Sequence, residues 1–553
     1  MTAALTVGLA QVNPIVGDID GNAARVRARR AEAADCDLLV CGELVLAGYP
    51  PEDLVLRRVF QDRIEAAVRT LAAETADGGP ALLVGAPWRA GGKLYNAALL
   101  LDGGGIAAVR FKYDLPNYGV FDEKRVFAAG SLPDPIVFRG GARLGVMICE
   151  DMWTPRVATH LAEGGAELLV VPDGSPFETD KPGIRQVLAA ERTTETGLSL
   201  LYVNLVGGQD ELVFDGASFV WDPAEGLRAR APAWQEGVTQ TQWQRAVDGF
   251  WTCTAAPIAD DCDGLDAIYH AMTVGLRDYV EKNRFPGVVL GLSGGIDSAL
   301  TAVVAVDALG PERVRCVMMP SPYTSRDSLE DAAELAGLLG VRLDSIDIEP
   351  AMAAFSAMLA DVFTGLPADV TEENVQARSR GLLLMAMSNK LGHMLLTTGN
   401  KSEMSVGYAT LYGDMCGGFS VLKDIYKTTV FALSHWRNQR RPNGFHGPAG
   451  RVIPERVIVK PPTAELRPNQ TDQDTLPAYA ELDGILEALI EDEASVDDTA
   501  ARGYDAATVR RVRRMIDRAE YKRRQAPPGV KITRRAFGRD RRYPITNGFT
   551  DRA

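Results

Sequence analysis

Short runs of consecutive apolar residues alternate with stretches whose apolar positions recur every three or four residues, and this holds over most of the chain. In the first half the runs are LTVGLAQV (5–12), DLLVCGEL (37–44), ALLVGAP (81–87), LYNAALLL (94–101), ARLGVMICED (142–151), ELLVVPD (167–173) and LSLLYVNLVGG (198–208). Most are short and rich in Val and Leu, which predicts strands buried on both faces. NAARVRARRAEAA (22–34) and RIEAAVRTLAAE (63–74) fall between them and predict helices. Over 222–262 the pattern loosens into a polar stretch with Pro and Gly, which places a domain boundary near residue 260.

After that boundary, GLDAIYHAMTVGLRDYVEKN (264–283) predicts an amphipathic helix. It is followed by VVLGLSGGIDSALTAVVAVDAL (288–309), RVRCVMMP (313–320), DSLEDAAELAGLLG (327–340) and RLDSIDIEP (342–350). This βαβαβ order predicts a doubly wound parallel sheet with its ligand at the carboxyl ends of the strands. The Pro- and Gly-rich segment 440–477 predicts a long loop, and loops of that length inside a domain are usually functional or disordered. It is expected to order over bound ligands and shield a reactive intermediate from water. The reading is α/β throughout, with domains at 1–258 and 259–553.

Composition narrows the function. The chain has 553 residues, too long for one core, and a formal net charge of −14, which argues against a general nucleic-acid or membrane-surface binder. The seven cysteines are scattered without paired C-x-x-C units, as expected in a reducing cytoplasm. No charged region precedes the first apolar run, so a signal peptide is not expected, and no run approaches a membrane span. One stretch departs from the acidic average, RRVRRMIDRAEYKRRQAPPGVKITRRAFGRDRR (510–542). It reads as a solvated helix and tail, with local binding of phosphate-bearing ligands or an acidic neighbour as the alternative.

Candidate chemistry appears at two places. In SGGIDS, residues 293–298, an apolar strand breaks into glycines and resumes as a helix. Ser293, Gly294, Gly295 and Ser298 offer hydroxyls and backbone N–H groups to a pyrophosphate, and Asp297 offers a hard oxygen to Mg2+. The lysine of an ordinary P-loop is missing, which argues against simple γ-phosphoryl transfer. At the other place, a predicted strand ends in Cys149-Glu150-Asp151, where a thiol can face a pocket. A lone buried cysteine is more often inert, but Glu43 falls just after another apolar strand and Lys112 begins KYDLPNYGVFDEKR. A carboxylate, an ammonium and a thiol form a consistent set: Glu43 as general base, Lys112 as oxyanion donor, Cys149 as nucleophile on an amide carbon.

Both places resemble known families. Glu43, Lys112 and Cys149 in their segments are similar to the glutaminase branch of the nitrilase superfamily, which implies an αββα sandwich and a Cys thioester. That resemblance implies glutamine binding by Tyr118, Glu150, Ser175 and Arg185. The segment VVPDGSPF (170–177) departs from the commoner Asn-Ala-Ser-Pro form at Asp173 and Gly174. The loop Gly291-Leu292-Ser293-Gly294-Gly295-Ile296-Asp297-Ser298 resembles the ATP loop of N-type ATP pyrophosphatases, with a Rossmann-like sheet. TEENVQARSRG (371–381), LLTTGNKSEMSVGYATLYGDMCGGFSVLKDIYKT (395–428) and PPTAELRPNQTDQDTLPAYAELDGIL (461–486) add a resemblance to NAD synthetases. It implies Thr398 on ATP, Asp297 and Glu403 on metal, and Asn374, Arg378, Glu403, Asp414, Lys423, Asp424 and Lys522 around deamido-NAD. Read alone, Glu403 and Asp424 are equally helix-cap carboxylates, and Lys522 a solvated cation.

Together the resemblances cover roughly residues 5–220 and 265–548 and imply glutamine-dependent NAD synthesis. Glutamine, ATP and deamido-NAD would be the substrates and Mg2+ the cofactor, in a cytoplasmic homo-oligomer built on a synthetase-domain dimer. The alternative is another glutamine-dependent ATP-pyrophosphatase amidotransferase. An asparagine synthetase fits poorly because residue 2 is Thr rather than Cys, and a GMP-type glutaminase because Cys149 lacks the Gly-x-Cys-x-Gly elbow. A nucleotide-sensing or assembly protein with a degenerate site is disfavoured by the intact Glu43, Lys112, Cys149 and Asp297.

Overall fold

The computed structural model describes residues 4–247 and 249–549. The chain divides into two compact units, residues 1–263 and 264–553. In the first, a seven-stranded sheet runs in the spatial order Trp251–Ala255, Gly237–Arg245, Ala4–Gln11, Leu38–Cys41, Ala81–Ala90, Lys93–Asp102, Gly105–Phe111. A six-stranded sheet runs Gly226–Arg230, Phe219–Asp222, Leu200–Val203, Leu168–Pro172, Ala142–Val146, Ile136–Phe138. One core cluster takes Val7, Val40 and Leu83 from the first sheet and Leu144, Val170 and Leu201 from the second. The outer faces carry helices. Val26, Ile64 and Val68 pack Ile19–Glu32 and Arg58–Glu74 on the first sheet, and Val157, Leu161 and Ala189 pack Pro155–Glu163 and Lys181–Thr196 on the second. The result is a helix–sheet–sheet–helix sandwich, and its double burial explains why the central strands read as unbroken apolar runs.

The loosened stretch 222–262 contains three strands that the apolar pattern did not predict, Gly226–Arg230, Gly237–Arg245 and Trp251–Ala255. Gly237–Arg245 pairs antiparallel with the whole length of Ala4–Gln11 through Gly237 to Gln244. Thr239, Thr241 and Trp243 are buried while Gln240, Gln242 and Gln244 face out, so the strand has the period-two pattern with polar letters. The inward hydroxyl is satisfied: Thr241 donates to the Val7 carbonyl at 2.8 Å and accepts from the Trp243 indole at 2.7 Å.

The second unit is built on five parallel strands in the order Arg342–Ser345, Val314–Met318, Val288–Gly291, Met394–Thr397, Phe419–Ser420. In chain order that is 3-2-1-4-5, so the switch point lies beside the carboxyl end of Val288–Gly291, where a doubly wound sheet binds its ligand. The helix Ile296–Leu309 leaves from that point and is buried at every position except Asp297. Leu482, Leu486, Val509, Val512 and Ile516 pack a helical cluster from Tyr479–Leu486 and Ala506–Arg518. The basic stretch is therefore only partly a solvated face: Arg523 and Arg541 are buried against Glu520 at 2.7 and 2.8 Å, and Lys531 against Asp540 at 2.8 Å.

Segment 440–477 is loop for most of its length, with a short helix Glu455–Val459. It is anchored at several points: Arg456 Nε to Asp331 at 2.6 Å, Ser325 Oγ to Glu465 at 2.7 Å and Gln376 Nε2 to the Leu466 carbonyl at 2.9 Å.

Candidate active sites

In the first unit, both sheets deliver side chains to one buried cluster. Glu43 lies two residues past Leu38–Cys41, and Lys112 directly follows Gly105–Phe111. Cys149 and Asp173 follow Ala142–Val146 and Leu168–Pro172 of the other sheet. Lys112 Nζ donates to Glu43 Oε1 at 2.7 Å and to Glu123 Oε1 at 2.9 Å, and neither Lys112 nor Glu43 is exposed. The thiol of Cys149 and the carboxylates of Glu43 and Asp173 lie within 4.8 Å of one another.

The backbone keeps this cluster in place. Cys149 adopts φ +47°, a left-handed conformation rarely taken by a residue with a side chain and concentrated at functional sites. Asp151 accepts N–H bonds from Ile148 (2.9 Å), Tyr113 (3.0 Å) and Asp114 (2.8 Å), tying the turn at the thiol to the segment after Lys112.

Electrostatics follow from burial. Burial raises the Glu43 carboxyl, although the Lys112 ammonium pulls it back. Burial would lower Lys112, but the charges of Glu123 and Glu43 prevail and hold it well above its usual value, so it stays cationic. Burial, then Asp173 and Glu43, raise the Cys149 thiol well above the ordinary range, against Lys112. Cys149 is therefore held as a thiol, with the Glu43 carboxylate beside it.

Tyr118 Oη donates to Glu150 at 3.0 Å, and both line an open groove of about 670 Å³ with Asp114, Asn117 and Lys124. Ser175 and Arg185 are buried rather than on this groove. Arg185 spends its donors on the Asp215 carboxylate (2.7 and 2.8 Å), on Ser175 Oγ and on the Ser175 and Pro176 carbonyls. Sequence reading missed Glu123, Asn96 and Asp173. Asn96 Nδ2 donates to Glu43 at 2.6 Å, and Tyr49 Oη to Glu123 at 2.9 Å.

In the second unit a cavity of about 290 Å³ opens at the switch point. It is lined by Gly291, Leu292, Ser293, Gly295, Ile296, Asp297 and Ser298, and by Thr398, Glu403 and Asp414. Gly294 lies behind this wall at φ +80°, and a Cβ there would stand 2.3 Å from the Ser328 carbonyl oxygen, so only glycine fits. Ser293 Oγ and Ser298 Oγ are 3.0 Å apart, and the Ser298 hydroxyl donates to the Gly295 carbonyl at the helix start.

Asp297 accepts from Asn400 Nδ2 at 2.8 Å and from the Lys427 ammonium, which is also 3.6 Å from Glu403. Enclosure and the charge of Asp297 push the Glu403 carboxyl up to about 8, against Lys427. Two hard carboxylates already converge on a cation here, and this donor set fits Mg2+. Glu403 also completes a capping box with Asn400, so the cap reading and the site reading hold together.

The remaining residues named by resemblance stand behind the cavity or away from it. Lys522 donates to the Gly407 and Ala409 carbonyls at 2.7 and 2.6 Å, and Asn374 accepts from Thr410 at 3.0 Å. Both grip the turn that carries Asp414, whose carboxyl burial pushes up to about 6. Arg378 is exposed and donates to the Leu411 carbonyl. Lys423 donates to the Pro527 carbonyl. The oxygens of Asp424 receive the Ile532 and Thr533 N–H groups and the Lys401 ammonium. Lys427 was missed because KDIYK offers two lysines four apart, and the fold turns the second one into the cavity.

Comparison with known proteins joins the two sites. Residues 6–251 match the carbon-nitrogen hydrolase family and residues 268–526 the NAD synthase family. Over 555 residues the chain is 49% identical to the glutamine-dependent NAD(+) synthetase of Rhodobacter capsulatus, with all of both chains covered. The chain belongs to the glutamine-dependent NAD(+) synthetases. The member from Thermotoga maritima is 43% identical over 584 residues, covering 99% of each chain. The solved structure of the glutamine-dependent NAD+ synthetase from Acinetobacter baumannii in complex with adenosine diphosphate matches with a TM-score of 0.77 at 43% identity, covering both chains completely.

Proposed function

We propose that this chain converts deamido-NAD, ATP and glutamine to NAD, AMP, pyrophosphate and glutamate, with the unit at 1–263 as glutaminase and that at 264–553 as synthetase. The observation that carries this is end-to-end similarity to glutamine-dependent NAD(+) synthetases across both units. It disfavours the other amidotransferases that the ATP loop alone leaves open.

In the first unit Glu43 takes the Cys149 proton as sulfur attacks the glutamine carboxamide, because the thiol is held un-ionised until a base relieves it. Lys112, kept charged by two carboxylates, stabilises the oxyanion. Glu43 then returns the proton to departing ammonia, and water hydrolyses the thioester. Glu150 and Tyr118, at the open groove, receive the amino-acid end of glutamine. Arg185 acts from behind, fixing Ser175 through its hydroxyl and its carbonyl.

In the second unit the loop 291–298 and Thr398 hold ATP while the nicotinate carboxylate attacks the α-phosphorus. Asp297 and Glu403 would hold Mg2+, which supplies positive charge to the polyphosphate when bound. Lys427 keeps both carboxylates facing the cavity. Asp414, on the turn gripped by Asn374 and Lys522, faces deamido-NAD. Ammonia displaces AMP from the adenylate.

Self-association through the synthetase unit is supported by the helix Glu349–Leu359, EPAMAAFSAML, which buries none of its residues. Met358, Val362 and Leu366 on and beside it are 65%, 71% and 67% exposed. An apolar surface of this kind marks an interaction site. No described helix is long and apolar enough to cross a membrane. All seven cysteines are free thiols, which supports a cytoplasmic setting. The decisive assay supplies deamido-NAD, ATP, Mg2+ and glutamine and separates the products. NAD and AMP in equal amounts support the reading, and ADP as the nucleotide product contradicts it.

A further inference from the structure

The phosphate loop lacks the lysine that an ordinary P-loop carries within its own sequence, yet pyrophosphate leaving from ATP needs positive charge. Among the described residues three cationic side chains line the cavity: Arg380, Lys427 and Lys460. Lys427 is held by Asp297 and Glu403, and Arg380 donates to the Met319 carbonyl at 3.0 Å. Lys460 is different. It comes from segment 440–477, and its Nζ donates to the Gly294 carbonyl of the loop at 3.3 Å and to Ser328 Oγ at 2.9 Å.

Among the described residues its only carboxylate partner is Asp331, at 3.3 Å. Asp331 is fully buried, so a departing cation would ordinarily leave it unpaired at high cost. Here Arg456 also holds Asp331, at 2.6 Å, through the same segment. Lys460 can therefore turn from Asp331 toward an anion in the loop while Asp331 keeps a partner.

We infer that Lys460 supplies in trans to the loop the cation that SGGIDS omits, binding the β- and γ-phosphates of ATP and then the pyrophosphate released. This rests on the reading of the second unit as the ATP site. As adenylation proceeds, a carboxylate oxygen bonds the α-phosphorus and the bond from that phosphorus to the β-bridging oxygen breaks. The electron pair leaves with pyrophosphate. Lys460 gives up no proton and acts by charge, as a lysine point charge does toward phosphate.

The test is calorimetric binding of inorganic pyrophosphate, with Mg2+, to the full chain. Lys460→Gln should weaken it about tenfold or more, Lys460→Arg should retain most of it, and Asp331→Asn should leave it within about threefold or tighten it, since it frees the lysine. Lys460→Gln binding as wild type would overturn the inference. So would Asp331→Asn losing as much as Lys460→Gln, because the lysine would then only pin the segment. Should Lys460→Gln fail to fold, amine acetylation of the wild-type protein read by mass spectrometry replaces it. Pyrophosphate must slow modification of Lys460, and an unchanged rate would overturn the proposal. Wild-type protein that binds no pyrophosphate would instead overturn the reading of the ATP site itself.

Discussion

Lys112 and Glu43 are joined by a 2.7 Å hydrogen bond, and neither side chain is exposed to solvent. Lys112 also neutralises Glu123 at 2.9 Å, so one ammonium serves two buried carboxylates. Lys112→Met leaves both without a neutralising cation and should destabilise the first unit by about 3–5 kcal/mol, besides abolishing glutamine hydrolysis. Denaturant unfolding of residues 1–263 within the full chain reads this; an unchanged midpoint would show that the charges are not buried together.

Asp173 carries the one carboxylate beside the thiol that has no role in the proposed chemistry. After burial it is the leading cause raising Cys149, so Asp173→Asn should lower the thiol pKa. The sign is definite: losing a negative neighbour favours thiolate, and the pH profile of iodoacetamide inactivation moves to lower pH. Glu43→Gln should move it the same way while glutamine hydrolysis falls by orders of magnitude. A profile that moves upward would remove Asp173 from the thiol's surroundings.

Gly294 stands at φ +80° with no room for a methyl group against Ser328. Gly294→Ala should push the loop into the cavity and weaken ATP binding by about a hundredfold, while binding of glutamine to the first unit is untouched. Nucleotide titration measures it, and near-normal ATP affinity would show that nucleotide binding does not depend on the left-handed turn at Gly294.

Met358→Glu with Val362→Lys places charge on the exposed apolar surface around Glu349–Leu359. Light scattering should show the assembly falling to smaller species with the fold intact. An unchanged mass would mean that this surface is not the contact.

What the sequence disclosed, and what it hid, has physical causes. Strands such as Leu168–Pro172 were legible because burial on both faces demands unbroken apolar letters. Gly237–Arg245 was not, because its inward positions include threonines, of which Thr241 satisfies its hydroxyl within the strand pair, and so look polar. The loop 291–298 was legible since strand, glycines and helix are contiguous. Glu123 sits in FDEKR, which reads as a solvated charge run, and is drawn inside by Lys112, Tyr49 and Asn96 from elsewhere in the chain. Lys427 could not be told from Lys423 by letters alone, and Lys460 lay in a segment read only as a cover. Pairings across long stretches of chain leave no local signature.

One chain holding two separate chemistries linked by ammonia is the central claim, and Cys149→Ala tests it most directly. The substitution removes the proposed nucleophile for glutamine and replaces none of the residues that line the cavity of the second unit. NAD formation should be measured with glutamine and, separately, with an ammonium salt as nitrogen source. Synthesis from glutamine should fall to background while synthesis from ammonium persists. Full glutamine-dependent synthesis by Cys149→Ala would contradict the claim, because some other residue would then be releasing the ammonia.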